Sequence, residues 1–154
     1  MKITLAKSLT IAAITALALG TAPTAKADDK GCFNGTLKGA FVWTSTGFIT
    51  APPAFAGPFT EVGLQTFDGK GGTSATATAS QNGNIVPLTI TGTYTVNPDC
   101  TGTMTLTASP INATFHVYFV IAAGVNELQA IEAEPGLVIS RIYRRQFPVG
   151  DIRN

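Results

Sequence analysis

Beyond residue 27 the chain alternates between apolar and polar residues with a period of two, which is typical of half-buried β-strands. Clusters of glycine, asparagine, aspartate and proline, which favour tight turns, separate eight such stretches. No sustained helical period interrupts them. The sequence therefore predicts an all-β domain, with strands at 35–48, 59–67, 73–80, 85–96, 103–108, 113–122, 127–133 and 137–145.

The mostly short connections favour a meander in which each strand pairs antiparallel with the next. Eight strands of this kind form a barrel when the first pairs with the last, and closure removes exposed sheet edges. Such a barrel is just wide enough for packed side chains or one small ligand. We predict a single eight-stranded antiparallel up-and-down barrel. The alternative is a two-sheet β-sandwich, because closure cannot be seen in a sequence.

The alternation also predicts which side chains face the interior. In stretch 85–96, Ile90 and Tyr94 share one face, and a row of threonines occupies the other. In stretch 59–67, Val62 and Leu64 oppose Glu61, Gly63 and Gln65. Since half-buried strands place apolar residues inwards, we expect the glutamate and the glutamine on the outer face.

Two stretches depart from this simple pattern. Stretch 113–122 is largely apolar on both faces, which predicts a strand that is covered outside or that borders an apolar pocket. Stretch 73–80 alternates alanine with serine and threonine. Its alanines either pack closely against bulky neighbours such as Trp43 and Tyr94 or open an interior cavity.

The first 27 residues have the features of a signal peptide. Lys2 and Lys7 precede an apolar run at 9–19, and Ala25-Lys26-Ala27 fits a small-x-small cleavage site. The apolar run is about half the roughly 20 residues that a membrane-spanning helix needs. We therefore predict an exported protein, periplasmic or extracellular, whose mature domain covers 28–154.

Export bears on the two cysteines, Cys32 and Cys100, because disulfides persist in oxidising compartments. A metal site and a reactive thiol are the alternatives, but two cysteines and a single histidine supply few ligands. We predict a structural Cys32–Cys100 disulfide, no metal site and no cofactor. The disulfide would join the start of the mature chain to the turn after stretch 85–96.

Cleavage also changes the charge. The chain carries 10 basic and 9 acidic residues, so loss of three lysines leaves a weakly acidic domain. Nucleic-acid binding, which calls for a basic surface, is therefore not expected. The one basic group, Arg141, Arg144 and Arg145, is interpreted as a solvated strand end. We expect no membrane insertion after signal cleavage.

Candidate chemistry is sparse. The single histidine, His116, lies within an apolar strand, and no nucleophile motif accompanies it. Three carboxylates, Glu61, Glu127 and Glu132, lie on predicted strands, where a solvent-facing position is the default. A carboxylate inside the barrel would instead have a raised pKa and act as an acid or base. Catalytic residues therefore stay unassigned.

Three segments together resemble a known group of proteins. They are VGLQTFDGKGG at 62–72, GTYTVNPDCTGTMTL at 92–106 and ELQAIEAEPGLVISRIYRR at 127–145. In this order they resemble small exported bacterial proteins of unassigned activity, which look like lipocalin-like and allene-oxide-cyclase-like barrels. The resemblance implies the barrel fold. No catalytic residue of the cyclases can be matched here, and fold alone does not assign a function.

These observations favour an exported soluble barrel that binds a small apolar or amphipathic ligand. Its mouth is expected at the end away from the disulfide. A cyclase or isomerase and a structural or interaction module with a filled core are the alternatives. The residues predicted to line the barrel are Trp43, Tyr94, Met104, Phe115, Tyr118 and Phe119.

Overall fold

A computed structural model describes residues 31–122 and 124–147, so the predicted signal peptide at 1–27 lies outside the described residues. Each strand pairs antiparallel with the next, and β8 pairs with β1, which closes a barrel. The all-β barrel is confirmed, and the sandwich alternative is wrong. The strands are β1 (Gly39–Ile49), β2 (Gly57–Phe67), β3 (Gly72–Gln81), β4 (Asn84–Val96), β5 (Thr101–Ser109), β6 (Ala113–Ile121), β7 (Glu127–Glu132) and β8 (Leu137–Arg145).

A 3-10 turn, Asn34–Leu37, covers one end of the barrel. The sequence predicted a strand from residue 35, and that boundary is wrong because side-chain contacts hold this segment as a turn. The Asn34 side chain accepts a hydrogen bond from the Val96 N–H at 2.8 Å, and the Tyr94 hydroxyl donates to the Asn34 carbonyl at 3.0 Å. Leu37, the last residue of the turn, is completely buried. We call this the closed end.

The predicted disulfide, Cys32–Cys100, is present at the closed end. It joins residues 68 apart in sequence, and loop-closure entropy alone gives such a link a stabilisation of about 4 kcal/mol. The Arg145 guanidinium reinforces this end by donating to the carbonyls of Lys38 at 2.6 Å and Thr36 at 3.0 Å. The N-terminal segment is therefore fastened to two sides of the barrel.

Aromatic side chains fill the half of the barrel next to the closed end. Phe67 contacts Phe41 and Tyr94 edge-to-face, with ring centres 5.4 and 5.0 Å apart. Trp43 and Tyr143 lie against each other at 5.7 Å. Rings packed in this way gain on the order of 1 kcal/mol per pair beyond the area that they bury. We call this region the packed half.

Strand β2 faces opposite to the expected direction. Val62 is 55% exposed on the outside, whereas Glu61 and Gln65 are buried inside the barrel. The reason lies between them, because Gly63 pairs with Trp43 of β1 and the indole ring occupies the space that a side chain at 63 would need. Gly63 must face inwards to receive the ring, and alternation then carries both polar neighbours inside.

The sequence left two interpretations for the alanines of β3, close packing against bulky neighbours and an interior cavity. Each applies at a different level of the barrel. Ala75, Ala77 and Ala79 all face inwards and are buried. Ala77 pairs with Gly63, beside the Trp43 ring, which matches close packing against a bulky neighbour. Ala79 lines an interior cavity, which matches the other interpretation.

Replacing Gly63 tests whether its contact with Trp43 determines the direction of β2. In Gly63→Ala the new methyl group overlaps the indole ring, so we expect a loss of about 1–3 kcal/mol in the free energy of unfolding. Trp43 is the only tryptophan of the chain, so its fluorescence reports the displacement directly. Leu64→Ala, on the outer face of the same strand, is the control. Unchanged emission and stability in Gly63→Ala would contradict the assignment.

Candidate functional site

The half of the barrel away from the disulfide contains a cavity of about 90 Å³. It lies inside the barrel, towards the end where the sequence predicts the mouth, which is the end of the loops at 50–56, 82–83, 110–112 and 133–136. We call this the open end. Outside the cavity, an apolar depression of about 500 Å³ extends over the loops. The apolar wall of the cavity includes Phe59, Ala79, Leu88, Leu106, Phe115 and Ile139.

Three ionisable side chains line the inner part of this cavity, where it meets the packed half. They are Glu61 of β2, Glu132 of β7 and Arg141 of β8, and they are 2%, 6% and 5% exposed, respectively. Arg141 Nη2 donates to Glu132 Oε1, and Arg141 Nη1 lies 3.4 Å from Glu61 Oε2. We call these three residues the Glu–Arg–Glu cluster.

The strand register explains how the cluster forms. Ser45 of β1 is the direct pairing partner of Glu61 on one side and of Arg141 on the other. All three side chains face inwards, so they form a row across β2, β1 and β8. Glu61 Oε2 accepts hydrogen bonds from Ser45 Oγ at 3.1 Å and from Trp43 Nε1 at 3.2 Å. One side of the cluster is thereby held by the packed half.

Burial and neighbouring charges shift the pKa values of these groups in opposite directions. Burial raises the pKa of Glu132 above its usual value, although the neighbouring Arg141 partly offsets the effect. Burial disfavours the charge on Arg141, yet Tyr143, Glu132 and Glu61 outweigh it and raise the pKa of the guanidinium. Burial also raises the pKa of Tyr143. Arg141 therefore stays protonated at any ordinary pH.

Several buried atoms of the cluster make no hydrogen bond among the described residues. They are Glu132 Oε2 and the Nε and Nη1 atoms of Arg141, and the adjacent Tyr143 hydroxyl shares this property. An unsatisfied buried polar group costs about 1–3 kcal/mol. The cluster therefore has both acceptor and donor capacity next to the cavity.

The expectation of solvent-facing carboxylates is wrong for Glu61 and Glu132. It holds for Glu127, which lies on the outer face and accepts a hydrogen bond from Arg144 Nε at 3.1 Å. The interpretation of the arginines as a solvated strand end is likewise wrong for Arg141. The inward set of β8 is Ile139, Arg141 and Tyr143, so the arginine lies between two core residues.

The predicted lining residues fall into three groups. Phe115 lines the cavity. Tyr118 does not face the interior, and its prediction is wrong because the alternation in β6 places it on the outside, 58% exposed. The other four face inwards and are buried, but they do not line the cavity: Trp43, Tyr94, Met104 and Phe119.

His116 lies outside the barrel, with its Nδ1 atom 2.7 Å from Glu134 Oε1. Its neighbour Val117 pairs with Glu132, but alternation along β6 places the His116 side chain on the opposite face of the sheet from the cluster. Among residues 31–122 and 124–147, no group of three histidine, cysteine, aspartate or glutamate side chains is placed to hold a metal ion. In the same part of the chain, no helix has the length and apolar character needed to cross a membrane.

Comparisons with protein-family models, with curated proteins and with solved structures gave no match to this chain.

The pH dependence of stability tests the environment of Glu132. Because its pKa is raised in the folded state, its contribution to stability is full below the ordinary value of 4.5 and is lost as pH rises through the folded-state pKa. We expect Glu132→Gln to remove this decline, so the variant gains on the wild type as pH increases. Urea unfolding at a series of pH values measures the difference. A difference that stays constant with pH would contradict a raised pKa.

Proposed function

We propose that this protein is an exported soluble barrel that binds a small apolar or amphipathic molecule through its open end. The observation that carries the proposal is the apolar cavity that ends on three buried ionisable side chains. Binding sites for small molecules typically combine apolar walls with a few convergent polar groups. The cavity has this composition, and its position inside one end of a barrel is a common one for ligand sites.

The size of the cavity limits what it can hold. Its volume of about 90 Å³ is below the roughly 300–1,000 Å³ of pockets that enclose a whole drug-sized ligand. The depression outside it is larger, and the two share Ile49, Phe115 and Leu137 in their walls. We infer that one end of the ligand enters the cavity and that the remainder lies against the apolar loops.

Export is part of the same proposal. The disulfide is consistent with an oxidising compartment, and the N-terminal segment has the sequence features of a signal peptide. The resemblance to small exported lipocalin-like and allene-oxide-cyclase-like barrels agrees with this assignment. A filled structural module is less well supported, because a cavity of about 90 Å³ remains in the half of the barrel next to the open end.

Blocking the cavity tests ligand binding. Ala79 is buried and lines the cavity, so Ala79→Phe should fill it. We expect toluene, indole or octanol to raise the melting temperature of the wild type, since a ligand that binds only the folded state stabilises it. The shift should disappear in Ala79→Phe and persist in Thr78→Phe, which puts the same ring on the outer face. Binding that is absent in the wild type, or unchanged in Ala79→Phe, would contradict the proposal.

A second candidate function is proton transfer in a cyclase- or isomerase-type reaction. The observation that favours it is Glu132, a carboxyl that lines an apolar cavity and has a raised pKa. In such an isomerisation the Glu132 carboxylate, made more basic by its raised pKa, removes a proton from one carbon of the substrate, and the resulting carboxyl returns a proton to another atom. The positively charged Arg141 would stabilise negative charge that develops between the two transfers.

Deuterium exchange tests this second function. After incubation in heavy water, a substrate that undergoes the reaction should carry deuterium at carbon, detected by mass spectrometry. We expect Glu132→Gln to abolish incorporation, while Glu127→Gln, on the outer face, retains it. Incorporation that is equal in the two variants would exclude Glu132 as the proton donor and acceptor.

A further inference from the structure

We propose that the Glu–Arg–Glu cluster selects ligands by their head group, favouring an uncharged hydroxyl and disfavouring a carboxylate. This inference rests on the proposed ligand-binding function and specifies the chemical class of the ligand. It concerns the end of the molecule that enters the cavity. The remainder of the ligand would be an apolar chain or ring.

The hydrogen bonds within the cluster leave a small set of donor and acceptor atoms without a hydrogen bond. Arg141 Nη2 is already bound to Glu132 Oε1, and Glu61 Oε2 already accepts from Trp43 and Ser45. The atoms without a hydrogen bond are one acceptor, Glu132 Oε2, and two donors of Arg141, Nε and Nη1, of which Nη1 already faces Glu61 Oε2 at 3.4 Å. These atoms are buried behind the cavity wall, so a ligand that reaches them must both donate and accept a hydrogen bond to satisfy them.

A hydroxyl group meets both requirements with a single oxygen atom. Its hydrogen can be donated to the carboxylate of Glu132, and its oxygen can accept from the guanidinium of Arg141. Hydrogen bonds to ionised partners are about twice as strong as those between neutral groups. The hydroxyl also brings no charge into the barrel, so it avoids the cost of removing an ion from water.

A carboxylate head fits poorly because the single guanidinium already has two carboxylates as neighbours, at Glu61 and Glu132. A third negative charge would be repelled by both in a site that water screens weakly. A carboxylate also has no hydrogen to donate to Glu132 Oε2.

An ammonium head is attracted by the two carboxylates but has a different shortcoming. It only donates hydrogen bonds, so Nε of Arg141 would remain without an acceptor. Its charge would also lie beside the guanidinium, and burial would remove its hydration. We therefore expect it to bind less well than the hydroxyl.

Three ligands that share one alkyl chain test the selectivity. We expect calorimetry near neutral pH to show that octanol binds the wild type at least about tenfold more tightly than octanoate, a difference of about 1.4 kcal/mol. Octylamine should fall between them. In Glu132→Gln one negative charge is gone, so the ratio of the octanol and octanoate affinities should shrink towards one.

Glu127→Gln is the matched control, because it removes the same charge from the outer face and should leave the ratio unchanged. If Glu132→Gln does not fold, as judged by circular dichroism, Glu61→Gln replaces it with the same expected direction. Failure of all three ligands to bind the wild type would overturn the proposed function itself.

Other outcomes would overturn the head-group inference alone. They are octanoate binding as tightly as octanol, octylamine binding most tightly, and a ratio that Glu132→Gln leaves unchanged. Each of these results would leave ligand binding in the barrel intact.

Discussion

The contact of Trp43 with Gly63 determines the rest of the interior. A ring that large leaves no room for a side chain on the adjacent strand, so position 63 must be a glycine that faces inwards. The alternation of a β-strand then fixes the direction of every other residue in β2. Glu61 is thereby placed inside the barrel, within hydrogen-bonding distance of the indole N–H. A buried carboxylate needs compensation, and Arg141 supplies it from β8.

The resulting cluster is difficult to explain as a device for stability. Removing an ion from water costs several kcal/mol, and well-packed apolar residues often stabilise a protein as much as a buried ion group does. Here two carboxylates share one guanidinium, and several buried polar atoms make no hydrogen bond among the described residues. The cluster also lies where the apolar packing stops and the cavity begins. The proposed ligand recognition would explain its position and its composition together.

Most of the architecture could be predicted from the sequence, because turn residues and alternation are local signals. The eight strands follow from such signals, and the disulfide from two cysteines in a chain with a signal peptide, whereas closure rests on the pairing of β8 with β1, which no local signal shows. The direction of β2 does not follow from local signals, since hydrophobicity places Val62 inside, whereas packing between strands places Gly63 there. The direction of β8 could not be predicted either. Both of its faces carry apolar residues, so the alternation does not show that Arg141 faces inwards. A glycine between two polar residues in β2 was the available signal.

Under the proposed function, one half of the barrel supplies stability and the other supplies recognition. The disulfide, the N-terminal turn and the aromatic contacts all lie towards the closed end, away from the cavity. The cluster lies at the boundary, where Trp43 and Ser45 hold Glu61, and Tyr143 lies on the same strand as Arg141. Its charges are therefore fixed before any ligand arrives, and a prearranged site loses less free energy in ordering itself on binding. Because a fixed set of donors and acceptors cannot rearrange to suit a different head group, the rigidity of the packed half is what would make the cavity selective.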